Sequence, residues 1–148
     1  MFAENGALAG LYFSDDRPLD RIEFNENTNQ FAADRKLLNE VEKQLGAYFK
    51  GDLKSFSLPL TLTGTSFQKA AWETLRGIPY GQTISYGAQS VTLGSSSKAR
   101  AVGQANGRNP VSIIVPCHRV IAASGGLGGY SGGLERKIWL LRHEGVSI

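Results

Sequence analysis

The chain's one cysteine, Cys117, lies in residues 113–125, IIVPCHRVIAASG, with His118 and Arg119 directly after it. Two chemistries suit a thiol in that setting. Flanked by Val115, Pro116 and Val120, it could be a small buried hydrophobe, as free cysteines often are. Beside two basic side chains it could instead be a nucleophile, because the thiolate is the reactive form and nearby positive charge favours it. The motif alone leaves both open. It does argue against zinc: one Cys and two His, His118 and His143, cannot assemble an all-Cys/His site of four ligands.

The elements that must hold Cys117 come from periodicity. Residues 6–13, GALAGLYF, and 19–24, LDRIEF, read as short strands around the turn-like SDDRP. Residues 34–51 read as a helix with Leu37, Leu38, Val41, Leu45 and Phe49 at helical spacing and Gly51 as its stop. In 55–63, SFSLPLTLT, the alternation of Phe56, Leu58, Leu60 and Leu62 predicts an edge strand or extended linker, with Pro59 forbidding a central position. A second helix is expected over 65–77, with Phe67, Ala70, Ala71 and Leu75 as its apolar side. Two short helices over 84–94 and 95–107 follow, with Ser85 and Ser97 as candidate N-caps, Gly94 in the turn and Gly107 as the end. Such a pair is the helix-turn-helix pattern, although helical hairpins are common and mostly structural. The last helix, 134–145, has Leu134, Ile138 and Leu141 on one face.

Charge divides the chain. Residues 1–59 carry ten acids and seven bases, whereas 60–148 carry three acids and nine bases. Between Glu73 and Glu135 there is no acid at all, while Arg76, Lys98, Arg100, Arg108 and Arg119 fall inside that stretch. An acid-free basic half is the footprint of a polyanion binder. The second of the paired helices sharpens this. Ala99, Ala101, Gly103 and Ala105 leave it short of bulk, which suits close approach to a narrow groove better than the long polar side chains that read base edges. Residues 125–133, GGLGGYSGG, place six glycines between the cysteine motif and the last helix, where backbone N–H groups can come close to a ligand. The boundary implied by the charge change puts an N-terminal domain at 1–58 and a C-terminal one at 59–148. The single Cys suits a reducing, intracellular setting, cytoplasmic or, according to organism, nucleoid-associated or nuclear. No signal-peptide pattern and no apolar run long enough to span a membrane is present.

From about Gly64 to Gly145 the chain resembles the O6-alkylguanine-DNA alkyltransferases, on the motifs ISYG, RAVG followed by NP, PCHRV, GGYSGG and HEG in that order. The resemblance implies an α/β (α+β) protein: a small ribonuclease-H-like N-terminal domain and a mainly helical, winged-helix-like C-terminal domain. It implies a monomer without cofactor, bound in the minor groove of double-stranded DNA containing O6-alkylguanine, with the damaged base flipped into a pocket. Cys117 would be the permanent alkyl acceptor. His118 would draw off the thiol proton through a water, Glu144 would orient His118, and Asn109 would be the hinge to the helix-turn-helix. Arg100 would fill the gap left by the flipped base. Tyr86 would stand near the 3′ phosphate and hydrogen-bond guanine. Main-chain groups of Cys117, Val120 and Ser131 would read the base edge, Tyr130 would wall the pocket, and Lys98 and Arg108 would contact DNA. O4-alkylthymine is a possible second substrate.

The chemistry can be stated without the family. Displacing an alkyl group from guanine O6 needs a thiolate and a donor for charge developing on the leaving base, roles open to Tyr86 and the Ser131 N–H. The thioether formed is not cleaved by water, so one molecule repairs one lesion. The chain departs from the family in its short N-terminal domain, where the strand ahead of residues 5–13 is missing or reduced. Gly107 stands where some members have a basic residue. Two rivals remain: a binding-only lesion sensor, which in this fold replaces the nucleophile, and a Cys-His-Glu hydrolase that turns over. His143 is read as a dipole-complementing residue of the last helical turn.

Overall fold

The computed structural model describes residues 1–13 and 28–148. The expected strand at 19–24 and the turn before it lie outside the described residues. Strands β1 (Phe2–Glu4) and β2 (Ala7–Gly10) form an antiparallel hairpin. Its turn is Asn5-Gly6, both at positive φ (52° and 76°), the conformation a two-residue hairpin loop requires. The leading strand is therefore present but only three residues long.

Helix α1 (Thr28–Phe49) is longer than its periodic core suggests. Its buried side runs through Val41 and Tyr48, both fully buried, while Phe49, expected inside, is 45% exposed. A tyrosine takes the inward place because its hydroxyl finds a buried partner. Residues 55–63 run extended, with Phe56, Leu58, Leu60 and Leu62 packed inward as the alternation predicts. They pair with β2 only around Leu60: Leu8 N–H donates to Pro59 O at 2.8 Å and Thr61 N–H to Leu8 O at 3.0 Å.

Helix α2 (Ser66–Arg76) starts with a capping box, in which Thr65 and Gln68 satisfy each other's backbone N–H groups. Its buried face is Ala71, Trp72 and Leu75 rather than the expected line through Ala70. Strand β3 (Ile84–Ser85) leads into α3 (Tyr86–Thr92), capped by the Ser85 hydroxyl as expected. After the Gly94 turn, one 3-10 turn (Ser96–Lys98) precedes α4 (Ala99–Asn106). Ser97 is consequently not an N-cap; its hydroxyl pairs with that of Ser95 inside the 3-10 turn.

Helices α2, α3 and α4 are locked by a buried amide pair. Gln89 Nε2 donates to Ala71 O, Thr74 Oγ1 and Asn106 Oδ1, and Asn106 Nδ2 returns a bond to Gln89 Oε1 at 2.8 Å. Trp72 Nε1 donates to Ala105 O at 2.9 Å. The small residues of α4 do not share one surface, since Ala105 is buried against this network while Ala101 is exposed. Beyond α4, a 3-10 turn (Cys117–Arg119) runs into β4 (Val120–Ile121), which pairs with β3 in parallel. Helix α5 (Leu134–His143) closes the fold. It buries Lys137, Leu140 and Leu141, and leaves Leu134 48% exposed, so its inward face is rotated from the one the leucines suggest. The architecture is a mixed α/β fold of five helices and two small sheets among the described residues.

Candidate active site

Cys117 sits where the 3-10 turn meets the main core, 5% exposed and packed with Val115 and Val120. Backbone conformation just before it is unusual. Ile113 is buried at φ 71°, a left-handed value that costs a β-branched residue on the order of 1–3 kcal/mol. Asn109 follows the end of α4 and spans this turn. Its Nδ2 donates to Val115 O at 2.7 Å and to Cys117 Sγ at 3.2 Å, and its Oδ1 accepts from Val111 N–H at 3.0 Å. One amide thus ties the helix-turn-helix to the turn that carries the thiol.

Around Glu144, the C-cap of α5, five hydrogen bonds from four residues converge. Its Oε1 accepts from Tyr48 Oη (2.7 Å), His118 Nε2 (2.9 Å) and Arg119 Nη2 (2.9 Å). Its Oε2 accepts from Arg119 Nε (2.8 Å) and the Gly81 N–H (3.2 Å). Arg119 also donates to Ile78 O. Burial alone would raise the Glu144 pKa, but the bonds from His118, Arg119 and Tyr48 outweigh it and hold the carboxyl well below the usual range. An ionised carboxylate only accepts, so His118 carries its proton on Nε2 and leaves Nδ1 as a lone-pair acceptor. That Nδ1 is buried and has no hydrogen-bond partner among the described residues. Burial lowers the His118 pKa against the opposing pull of Glu144, which keeps the ring neutral.

Burial likewise pushes the Cys117 thiol up, while the Asn109 bond and the Lys137 charge pull it back. Lys137 escaped the sequence reading. Fully buried, it donates to Val120 O (2.6 Å), Leu127 O (2.5 Å) and Gly129 O (3.3 Å), and its Nζ lies 5.8 Å from the centroid of the Tyr86 ring. Tyr86 Oη donates to Gly129 O at 3.1 Å, and at Gly128, with φ 66°, a Cβ would come within 2.8 Å of the ring. The glycine-rich loop is therefore pressed onto Tyr86, which is half-buried and within electrostatic reach of Cys117.

The remaining expected residues separate into two groups. Val120 is buried at the head of β4, and Tyr130 packs edge-on against Phe13. Arg108 and Ser131 line a cavity of about 490 Å³ together with Asn109, Ser112 and Tyr12. Arg100 and Lys98 lie apart from this cluster, exposed where α4 begins, with Lys98 Nζ 5.9 Å from the Phe67 ring centroid. His143 stacks on Trp139 at 5.0 Å, and its Nε2 lies 2.7 Å from Tyr48 O, so it does more than complement a dipole. Arg119 and Tyr48, which complete the Glu144 site, were also missed. Arg119 had a signal, adjacency to the motif; Tyr48 had none.

These features define a helix-turn-helix protein built around a single buried cysteine with a histidine–carboxylate pair beside it. Residues 66–146 match the family model "6-O-methylguanine DNA methyltransferase, DNA binding domain". The chain is 48% identical over 120 residues to the methylated-DNA--protein-cysteine methyltransferase of Methanosarcina acetivorans, covering 81% of this chain and 77% of that protein. It is similar to the crystal structure of Mycobacterium tuberculosis OGT in complex with DNA, at 54% identity and TM-score 0.71 over 72% of this chain and 65% of that one. A crystal structure of Schizosaccharomyces pombe Atl1 in complex with damaged DNA containing O6-carboxymethylguanine is also similar, at 34% identity and TM-score 0.52 over 58% of this chain and 82% of that one. The match thus spans just under two thirds of the mycobacterial structure. The chain belongs to the 6-O-methylguanine DNA methyltransferase family.

Proposed function

We propose that this protein repairs DNA by moving the alkyl group of O6-alkylguanine in duplex DNA irreversibly onto Cys117, once per molecule. The observation that carries the reading is the buried thiol itself, held by Asn109 next to a neutral histidine whose free nitrogen is an acceptor. His118 takes the thiol proton at Nδ1 through a bridging water, with Glu144 fixing its tautomer. The sulfur attacks the alkyl carbon, the C–O6 bond breaks, and guanine departs with a proton supplied through Tyr86. The proton leaving sulfur balances the proton gained by guanine, so no cofactor enters. Asn109 acts as hinge. Main-chain groups of Cys117, Val120 and Ser131 read the base, and Tyr130 walls it.

DNA enters along the minor groove, with Arg100 in the gap of the flipped base and Lys98 and Arg108 on the backbone. In the finer fold reading, residues 1–58 form a ribonuclease-H-like domain and 59–148 a winged-helix-like one. The protein works as a monomer in the cytoplasm, and O4-alkylthymine is a second candidate substrate.

One mass spectrum after incubation with O6-methylguanine duplex tests this. A stable methyl adduct on Cys117, with repair stopping at one lesion per molecule, is expected. Cys117→Ser should form no adduct yet keep duplex binding, because the basic helices are untouched. Unmodified protein that still binds would make it a lesion sensor, and repeated turnover would make it a hydrolase.

A further inference from the structure

Six of the nine residues in 125–133 are glycine, so this loop has little bulk with which to brace itself. Tyr86 presses on it at Gly128. At its other end the brace comes from the N-terminal segment. Gly132 is buried, and a Cβ there would come within 2.6 Å of the Phe13 ring and 2.9 Å of the Tyr130 ring. Phe13 meets Tyr130 edge-on, with ring centroids 6.4 Å apart and planes at 69°. The Arg136 guanidinium covers the Phe13 face 4.5 Å from its centroid, and Arg136 Nη1 donates to Gly132 O at 3.0 Å. An edge-to-face ring pair and a cation over a ring are both directional, so these three side chains and the glycine form one unit.

Phe13 is itself fixed relative to the thiol. Two residues before it, Leu11 N–H donates to Pro110 O and Leu11 O accepts from Ser112 N–H, both at 2.9 Å. That bridge ties the segment to the turn on which Asn109 holds Val111, Val115 and Cys117. Phe13 and Tyr130 also pack on one buried cluster, Tyr48, Ile113 and Leu140. We propose that Phe13 is a positioning residue for alkyl-size selection: it stops the Tyr130 ring from retreating and so limits the group that fits beside Cys117. This rests on the reading of Cys117 as the alkyl acceptor and Tyr130 as the pocket wall. A methyl group needs no retreat of that wall, whereas a benzyl group does. The size limit therefore comes from the N-terminal segment, outside the residues that carry out the transfer.

The test compares single-turnover rates on two duplexes identical but for O6-methylguanine or O6-benzylguanine. In Phe13→Ala the benzyl-to-methyl ratio should rise about tenfold, the scale on which apolar pockets discriminate substrates by size. Phe13→Tyr keeps the ring and should return the ratio to that of the unaltered protein. A merely structural role would lower both rates together, and an unmoved ratio overturns the proposal. Should Phe13→Ala fail to fold, Phe13→Leu fills the space without a ring edge. Its ratio should rise in the same direction by less, and no rise there overturns the proposal equally.

Thiol reagents of two sizes repeat the comparison without a lesion. Mass spectrometry of Cys117 after iodoacetamide or iodoacetanilide should show the anilide gaining on the amide in Phe13→Ala. Equal changes for both reagents overturn the proposal. An unaltered protein that takes no alkyl group from either duplex would sink the proposed function, while the reagent ratio would still judge Phe13.

Discussion

Two polar regions of this molecule are built on opposite plans. Around Glu144 the donors are buried side chains and one partly buried main-chain N–H, with Tyr48, His118, Arg119 and Gly81 already bonded to its two oxygens. At the start of α4, Lys98 and Arg100 are exposed and neither has a hydrogen bond to the rest of the protein through its side chain among those described. Under the proposed function the contrast follows from when each region would meet its partner. A proton acceptor next to a thiol must be set before substrate arrives, since reorganising it during the reaction would raise the barrier. Cations that grip a polyanion are better left in water until they displace the counterions condensed on its phosphates.

Disrupting the first region should therefore cost stability as well as activity. Glu144→Gln keeps the shape, removes the charge, and leaves Arg119 buried without its counter-ion. We expect a loss of about 3–5 kcal/mol in unfolding free energy, read by urea denaturation. A loss below about 1 kcal/mol would mean the network is looser than its distances imply. The same region sets an acid limit. Both His118 and Glu144 have pKa values below their unfolded ones, so the unfolded chain binds more protons and stability is lost as pH falls. The decline should begin near about pH 6.5 as unfolded histidine protonates, and steepen below about pH 4.3 as unfolded carboxylates do. In Glu144→Gln the steeper part should shrink, and an unchanged acid profile would reassign it to other groups.

Tyr86 lies between the two plans, half-buried with its hydroxyl donated to a loop carbonyl. Tyr86→Phe should slow single-turnover reaction with free O6-benzylguanine by roughly 10-fold, the low end for loss of one such donor, and leave duplex affinity alone. An unchanged free-base rate would move Tyr86 wholly to the DNA side. The smallest effect on the chemistry should come from the exposed region. Arg100→Ala should weaken duplex binding by about tenfold while the free-base rate stays constant. Equal losses on both substrates would show that Arg100 also supports the fold.

Local elements were legible in the sequence where they depend on neighbours along the chain. The Ser85 cap, the inward alternation at 56–62 and the Gly94 turn all came through. The family motifs name Glu144 as the residue that orients His118, and the two side chains lie 2.9 Å apart; the bond from Asn109 to the thiol had no such signal. What failed were faces set by distant partners. Lys137 points inward because three carbonyls of another segment receive it, and no periodicity rule places a lysine there. Tyr48 displaces Phe49 from the core because a carboxylate far along the chain accepts its hydrogen bond.

That last bond also sets an order of events during synthesis. Tyr48 and Glu144 are 96 residues apart, so bringing them together closes a loop whose entropy is on the order of 4 kcal/mol. On the ribosome, residues 117 and 118 are made while the carboxylate that fixes the histidine is still untranslated. The enclosure of the thiol therefore cannot be completed until the last helix has been made and released, so the site is finished after synthesis rather than during it.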